Sequence, residues 1–126
     1  MIQVMIVDDD SLIRRTLSSA LARGGYGVCT ASDGLRARQL AEVAPPHVAL
    51  IDLHMLNGGL ELVRAIKTRL GSACYVAVLT GDDTAQVRDQ CAAAGADTVL
   101  GKPIALVELR RTLAEATRGL STPSNR

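Results

Sequence analysis

Five short apolar runs, Val4–Val7, Val28–Ala31, Val48–Ile51, Tyr75–Leu79 and Thr98–Leu100, punctuate the chain from end to end. They are rich in Val and Ile and do not alternate with polar residues, which is the pattern of strands covered on both faces. Between them lie stretches whose apolar residues recur at helical spacing. Leu12, Ile13, Thr16, Leu17, Ala20 and Leu21 form one stripe, Leu60, Val63, Ile66 and Leu70 another, and Leu106, Leu109, Leu113 and Ala116 a third. Each stripe is expected to face a core. Strand and helix alternate along the whole chain, so the fold class is α/β, a parallel sheet with helices on both faces. The punctuation agrees: Gly24–Gly25, Gly71 and Gly95 stand where helices should stop, and Ser11, Asp33 and Asp83 where they should start.

At 126 residues the chain suits one domain, expected over residues 1–118. Residues 119–126, GLSTPSNR, are small and polar and read as a tail or the start of a linker. There is no Phe or Trp, and the only aromatic residues are Tyr26 and Tyr75, so the core must come from Leu, Val, Ile and Ala. Ligands that need an aromatic stacking platform are poorly served. A net charge of +1 gives no global pull toward nucleic acid or membrane. Arg14–Arg15, Arg36, Arg38 and Arg110–Arg111 read as solvated helix faces. The scattered Cys29, Cys74 and Cys91 form no CxxC pair and suit reduced thiols in a cytoplasmic protein. The opening MIQVMIVDDD lacks the basic start and long apolar run of a signal peptide, and nothing approaches the ~20 apolar residues of a membrane span.

In an open parallel sheet, ligands bind outside the carboxyl ends of the strands, where strand order reverses. The residues that follow the apolar runs therefore matter most. The first run ends in Asp8-Asp9-Asp10, the third in Asp52, the fourth in Thr80 and the fifth in Lys102-Pro103. If the first and third strands are neighbours, Asp8, Asp9 and Asp52 meet at one rim, and such carboxylates repel unless a cation lies among them. Hard oxygen ligands suit Mg²⁺, or Mn²⁺ in its place. A carboxylate can attack phosphorus, a lysine can neutralise phosphoryl oxygens and a threonine hydroxyl can donate to them. Taken singly, each residue has a plainer role as a cap, a strand-end hydroxyl or a surface lysine. Their joint order at successive strand ends points to phosphoryl chemistry.

With MIVDDD, ALIDLHM, AVLTG and GADTVLGKP, the chain resembles the receiver domains of two-component response regulators across residues 2–118. The resemblance implies a flavodoxin-like, doubly wound sheet of five strands in order 2-1-3-4-5 with five helices. It implies Asp52 as phospho-acceptor, Asp9 and Asp52 as Mg²⁺ ligands, and Asp8 as an acid acting mainly through water. The carbonyl of His54 would be a further ligand, Thr80 the switch hydroxyl and Lys102 the phosphoryl contact. His54 and Asp82 would flank the phosphoryl group and tune its hydrolysis. They either pair across the mouth of the site or both stay exposed, with only the His54 carbonyl in use. A histidine kinase or phosphotransfer protein is expected to dock near the first helix. Output is expected from the face of helix four, strand five and helix five, with a homodimer left open and no direct nucleic-acid or membrane contact.

Three departures from the family pattern stand out. Leu56 replaces a usual proline, and Asn57-Gly58-Gly59 makes the loop after Asp52 look one residue short. Val99 replaces the aromatic residue that usually precedes the lysine by three, so a signal carried by a turning ring is unavailable. No output domain follows within the sequence, which suits either a stand-alone receiver or the front of a longer protein. Two other readings compete. One is a haloacid-dehalogenase-type phosphatase with Asp8 as nucleophile and Asp10 as acid/base. It would want a further acidic pair after Lys102, and it leaves Asp52 unexplained. The other is a degenerate receiver that only binds protein.

Overall fold

A computed structural model of the chain describes residues 1–55, 58–118 and 120. The apolar runs are strands: β1 (Gln3–Val7), β2 (Gly27–Ala31), β3 (Val48–Asp52), β4 (Tyr75–Thr80) and β5 (Thr98–Gly101). The intervening segments are helices α1 (Ser11–Arg23), α2 (Gly34–Val43), α3 (Gly59–Leu70), α4 (Ala85–Ala94) and α5 (Leu106–Ala116), with a single 3₁₀ turn at Gly71–Ala73. The strands form one parallel sheet in the order β2-β1-β3-β4-β5, as expected.

Side chains alternate across each strand, and the two resulting faces carry separate cores. Val4, Ile6, Val48, Leu50, Ala77 and Leu79 face α1 and α5, where Leu17, Leu21, Leu109 and Leu113 close over them. Met5, Val7, Ala49, Ile51, Val76 and Val78 face α2, α3 and α4, against Ala37, Ala41, Leu62, Val63, Ile66, Cys91 and Ala94. The small alanines of α2 let that helix lie close to the sheet. Cys74 and Cys91 are buried and Cys29 is half-buried; burial pushes the Cys74 thiol up to about 11, which keeps it protonated at neutral pH.

The helix stops fall where the glycines stand: Gly24, Gly71 and Gly95 are the C-terminal caps. Gly95 has φ of 108°, the left-handed conformation that favours glycine. Of the expected starts, Asp33 caps α2 through Arg36 N–H, but the other two lie one residue off. Asp10, not Ser11, caps α1, accepting from the amides of Leu12 and Ile13. Thr84, not Asp83, caps α4, and Asp83 pairs instead with Arg88. Three stripe residues also depart from expectation. Leu12 is 64% exposed and Leu106 46%, because each lies in its helix's first turn, beyond the rim of the sheet. Thr16 is exposed too. The expected short loop at Leu56–Asn57 and most of the polar tail, 119 and 121–126, lie outside the described residues.

Candidate functional site

The sheet register brings the strand-end residues together. Val7 lies opposite Ile51 and Ala31, so Asp8 comes level with Asp52. Asp52 pairs with Leu79 and Thr80 with Gly101, which puts Thr80 one step and Lys102 two steps further along the same edge. Asp52 shares its side of β3 with Val48 and Leu50. Asp8 continues the Val4–Ile6 side, and Lys102 the side of Leu100, so these three groups converge.

The Lys102 ammonium bridges two acids, 2.9 Å from Asp8 Oδ2 and 3.1 Å from Asp52 Oδ1. Asp8 is 0% exposed and Asp52 5%, so each carboxylate would be costly to bury without this partner. Burial alone would lower the lysine pKa, but the hydrogen bonds it donates to Asp8 and Asp52 outweigh it and hold the ammonium above its ordinary value. Asp52 Oδ1 also accepts from the His54 amide at 3.3 Å. Asp8 Oδ1 accepts from the Asp10 amide at 2.9 Å. Asp9 is exposed at the rim.

One carboxylate oxygen from each of Asp8, Asp9 and Asp52 lies within 4.8 Å of the others. Three hard oxygen donors with Asp9 open to solvent fit a small divalent cation that keeps several waters. Thr80 is fully buried, and its Oγ1 accepts from the Asp82 amide at 2.9 Å. His54 and Asp82 are both exposed, and among the described residues no ion pair joins them. Both reach the site through their backbone amides, His54 N–H on Asp52 Oδ1 and Asp82 N–H on Thr80 Oγ1. Val99 is 7% exposed and belongs to the core under α3 and α4.

Two contributors escaped the sequence reading. A Cβ on Gly59 would lie 2.6 Å from the carbonyls of both Asp52 and Leu53, so only glycine lets α3 start beneath the end of β3. The doublet Gly58-Gly59 was a signal for this, though it read simply as a loop. Arg14, expected on a solvated face, is half-buried and donates from Nη1 to the Asp8 carbonyl at 2.7 Å. Arg15, Arg36, Arg38, Arg110 and Arg111 are exposed as expected.

A doubly wound sheet in this order, with acids, a hydroxyl and a lysine along its carboxyl edge, is the architecture of a signalling receiver. The chain belongs to the response regulator receiver domain family, whose pattern it matches over residues 4–114, and it is a receiver domain of two-component signalling. It is similar to a cyclic di-GMP phosphodiesterase of Thermotoga maritima, 37% identical over 117 residues that make up 91% of this chain and 31% of that protein. It is also similar to response regulator MprA of a Mycobacterium species, 36% identical over 109 residues, 86% of this chain and 47% of that protein. The chain thus spans less than half the length of these relatives. Among solved structures, chemotaxis protein CheY4 of Vibrio cholerae superposes with a TM-score of 0.86 at 32% identity, covering 92% of this chain and 98% of that one. A two-component response regulator from Clostridium difficile reaches a TM-score of 0.90 at 19% identity, covering 97% and 100%, and shows the fold alone. The phosphatase alternative finds no support: the family is that of receivers, and the Asp10 carboxylate it needs as acid/base caps α1. Among the described residues no helix is long and apolar enough to cross a membrane.

Proposed function

We propose that this receiver accepts a phosphoryl group on Asp52 from the phosphohistidine of a histidine kinase or phosphotransfer protein, with Mg²⁺ or Mn²⁺ held by Asp9 and Asp52. Asp8 would act mainly through water and the His54 carbonyl as a further ligand. The observation that carries this reading is the meeting of Asp8, Asp9 and Asp52 at the carboxyl edge of the sheet, with Lys102 bridging Asp8 and Asp52. The ion supplies charge neutralisation on the transferring phosphoryl oxygens. Asp52 Oδ1 is occupied by Lys102 and the His54 amide, and among the described residues Oδ2 accepts no hydrogen bond. Oδ2 is the oxygen free to attack: the O–P bond forms as the donor's P–N bond breaks, and the imidazole leaves with the donor. Lys102 then turns its charge to the phosphoryl oxygens, and the Thr80 hydroxyl moves to donate to them, releasing the Asp82 amide. His54 and Asp82, exposed on either side, meet incoming water and set how fast it removes the phosphate.

Docking of the phosphodonor is supported by an apolar groove of about 440 Å³ beside Lys102. Leu12, Ile13, Thr16 and Leu17 of α1 line it, with Pro103 and Ile104 after β5. Intact-protein mass measurement with a small phosphodonor and Mg²⁺ tests the reading. One phosphate should add to the wild type, none to Asp52→Asn and little to Asp9→Ala. Undiminished, acid-labile phosphate on Asp52→Asn would assign the acceptor elsewhere. Absence of any adduct on the wild type would leave a protein-binding module.

A further inference from the structure

Asp8 is held at every polar atom it has. Its amide donates to the Ala31 carbonyl at 3.1 Å, and its carboxylate accepts from the Asp10 amide and from Lys102, each at 2.9 Å. Its carbonyl accepts from Arg14 Nη1 at 2.7 Å, the shortest of the four. That last bond has a consequence for the next residue. The Asp8 carbonyl and the Asp9 amide share one rigid peptide plane, so holding the oxygen sets the direction in which Asp9 leaves the chain. Asp9 itself is exposed and, among the described residues, its side chain has no hydrogen bond or ion pair. Nothing but the backbone aims it at Asp52.

We propose that Arg14 is a positioning residue for the cation site: by clamping the Asp8–Asp9 peptide plane, it keeps the exposed Asp9 carboxylate aimed at Asp52. This rests on the reading of the acid cluster as a divalent-cation site. Arginine suits the task, because a planar guanidinium that stays charged at all working pH values makes a strong, directional bond to a carbonyl. Its position on α1 suits it as well. The helix begins immediately after the acidic triplet, so a side chain at the end of the first turn folds back over the loop it follows. The nearby positive charge works in the opposite sense, since it repels a cation, and the two effects therefore predict opposite outcomes when the side chain is removed.

Arg14→Ala and Arg15→Ala separate them, because each removes one charge from the same helix while only the first removes the clamp; Arg15 is exposed. Mg²⁺ affinity is read by amide chemical-shift titration, with melting temperature measured alongside. Arg14→Ala should weaken Mg²⁺ binding roughly ten-fold, the lower end of what the loss of an outer partner of a metal ligand costs. Arg15→Ala should bind Mg²⁺ as the wild type does or slightly more tightly, and Arg14→Lys should recover most of the affinity. In metal-free protein, Arg14→Ala should also speed hydrogen exchange at the Asp10 amide, which reports on the same loop. If Arg14→Ala binds Mg²⁺ as tightly as Arg15→Ala, or if its loss of affinity only parallels a loss of melting temperature, the clamp is overturned. Asp9→Ala run beside them keeps the two claims apart. Unchanged affinity in that variant would defeat the cation site itself, whereas lost affinity there with none lost in Arg14→Ala would defeat Arg14 alone.

Discussion

The residue that does most at this edge is Lys102. It satisfies two acids at once, one wholly buried and one nearly so, and it does so from a strand end 94 residues away from Asp8. Without it, the Asp8 carboxylate would keep only the Asp10 amide. Replacing Lys102 with Met should therefore cost roughly 3 kcal/mol of stability, the scale for breaking a buried ion pair from one side. A divalent ion can supply the missing positive charge. Saturating Mg²⁺ should return more stability to Lys102→Met than it adds to the wild type, as read from urea unfolding midpoints with and without the ion. Equal gains for the two proteins would mean that the lysine and the cation do not answer to the same carboxylates.

At the scale of elements, the loop from β4 to α4 is the part best placed to move. Thr80 is buried at its start, its hydroxyl is engaged by the Asp82 amide, and Asp83 beyond it is tied to Arg88 on α4. The Asp83–Arg88 hydrogen bond holds the Asp83 carboxyl below its ordinary range, a sign of a favourable but solvent-exposed pair. If, as proposed, the Thr80 hydroxyl turns to a phosphoryl oxygen, the Asp82 amide would lose its acceptor and the loop would have to rearrange. β5 has less to do, because Val99 is a small, packed core residue with no ring to swing. With beryllofluoride as phosphoryl mimic, amide shifts should be largest over residues 81–87 and along α4, and smaller over Thr98–Gly101. Shifts confined to α1 and α2 would remove this loop from the switch.

For the whole molecule, the two sides of α1 serve different ends. Leu21 anchors it to the sheet and Leu17 both packs there and floors the apolar groove beside Lys102, which Leu12, exposed at the helix's start, also lines. Leu12 is part of a contiguous apolar patch with Ile13, Pro103 and Ile104, the kind of surface a docking phosphodonor, as proposed, would cover. Leu12→Glu should leave folding stability within about 0.5 kcal/mol of the wild type, as is usual for an exposed position. It should also leave phosphorylation by a small donor unchanged while slowing transfer from a cognate phosphotransfer protein by ten-fold or more. Comparable rates from the protein donor, measured by loss of its phosphohistidine, would place the docking surface elsewhere.

Much of this was legible in the chain before any coordinates. Strands buried on both faces must be written as continuous apolar runs, and helices laid on them as stripes of the 3.6-residue period, so the α/β alternation follows from local pattern. Asp8, Asp9, Asp52, Thr80 and Lys102 could be picked out because a parallel sheet sends its ligands to its carboxyl edge and each of these residues ends or follows a strand. The starts of α1 and α4 were a residue out because neighbouring side chains, Asp10 beside Ser11 and Thr84 beside Asp83, can all cap a helix. Which of two adjacent acids is buried on a lysine and which stands open at the rim depends on register between strands far apart in sequence. The same holds for Gly59 under the Asp52 carbonyl and for Arg14 folded back onto Asp8. These are contacts at right angles to the chain, and only the packing of strand against strand and helix against sheet decides them.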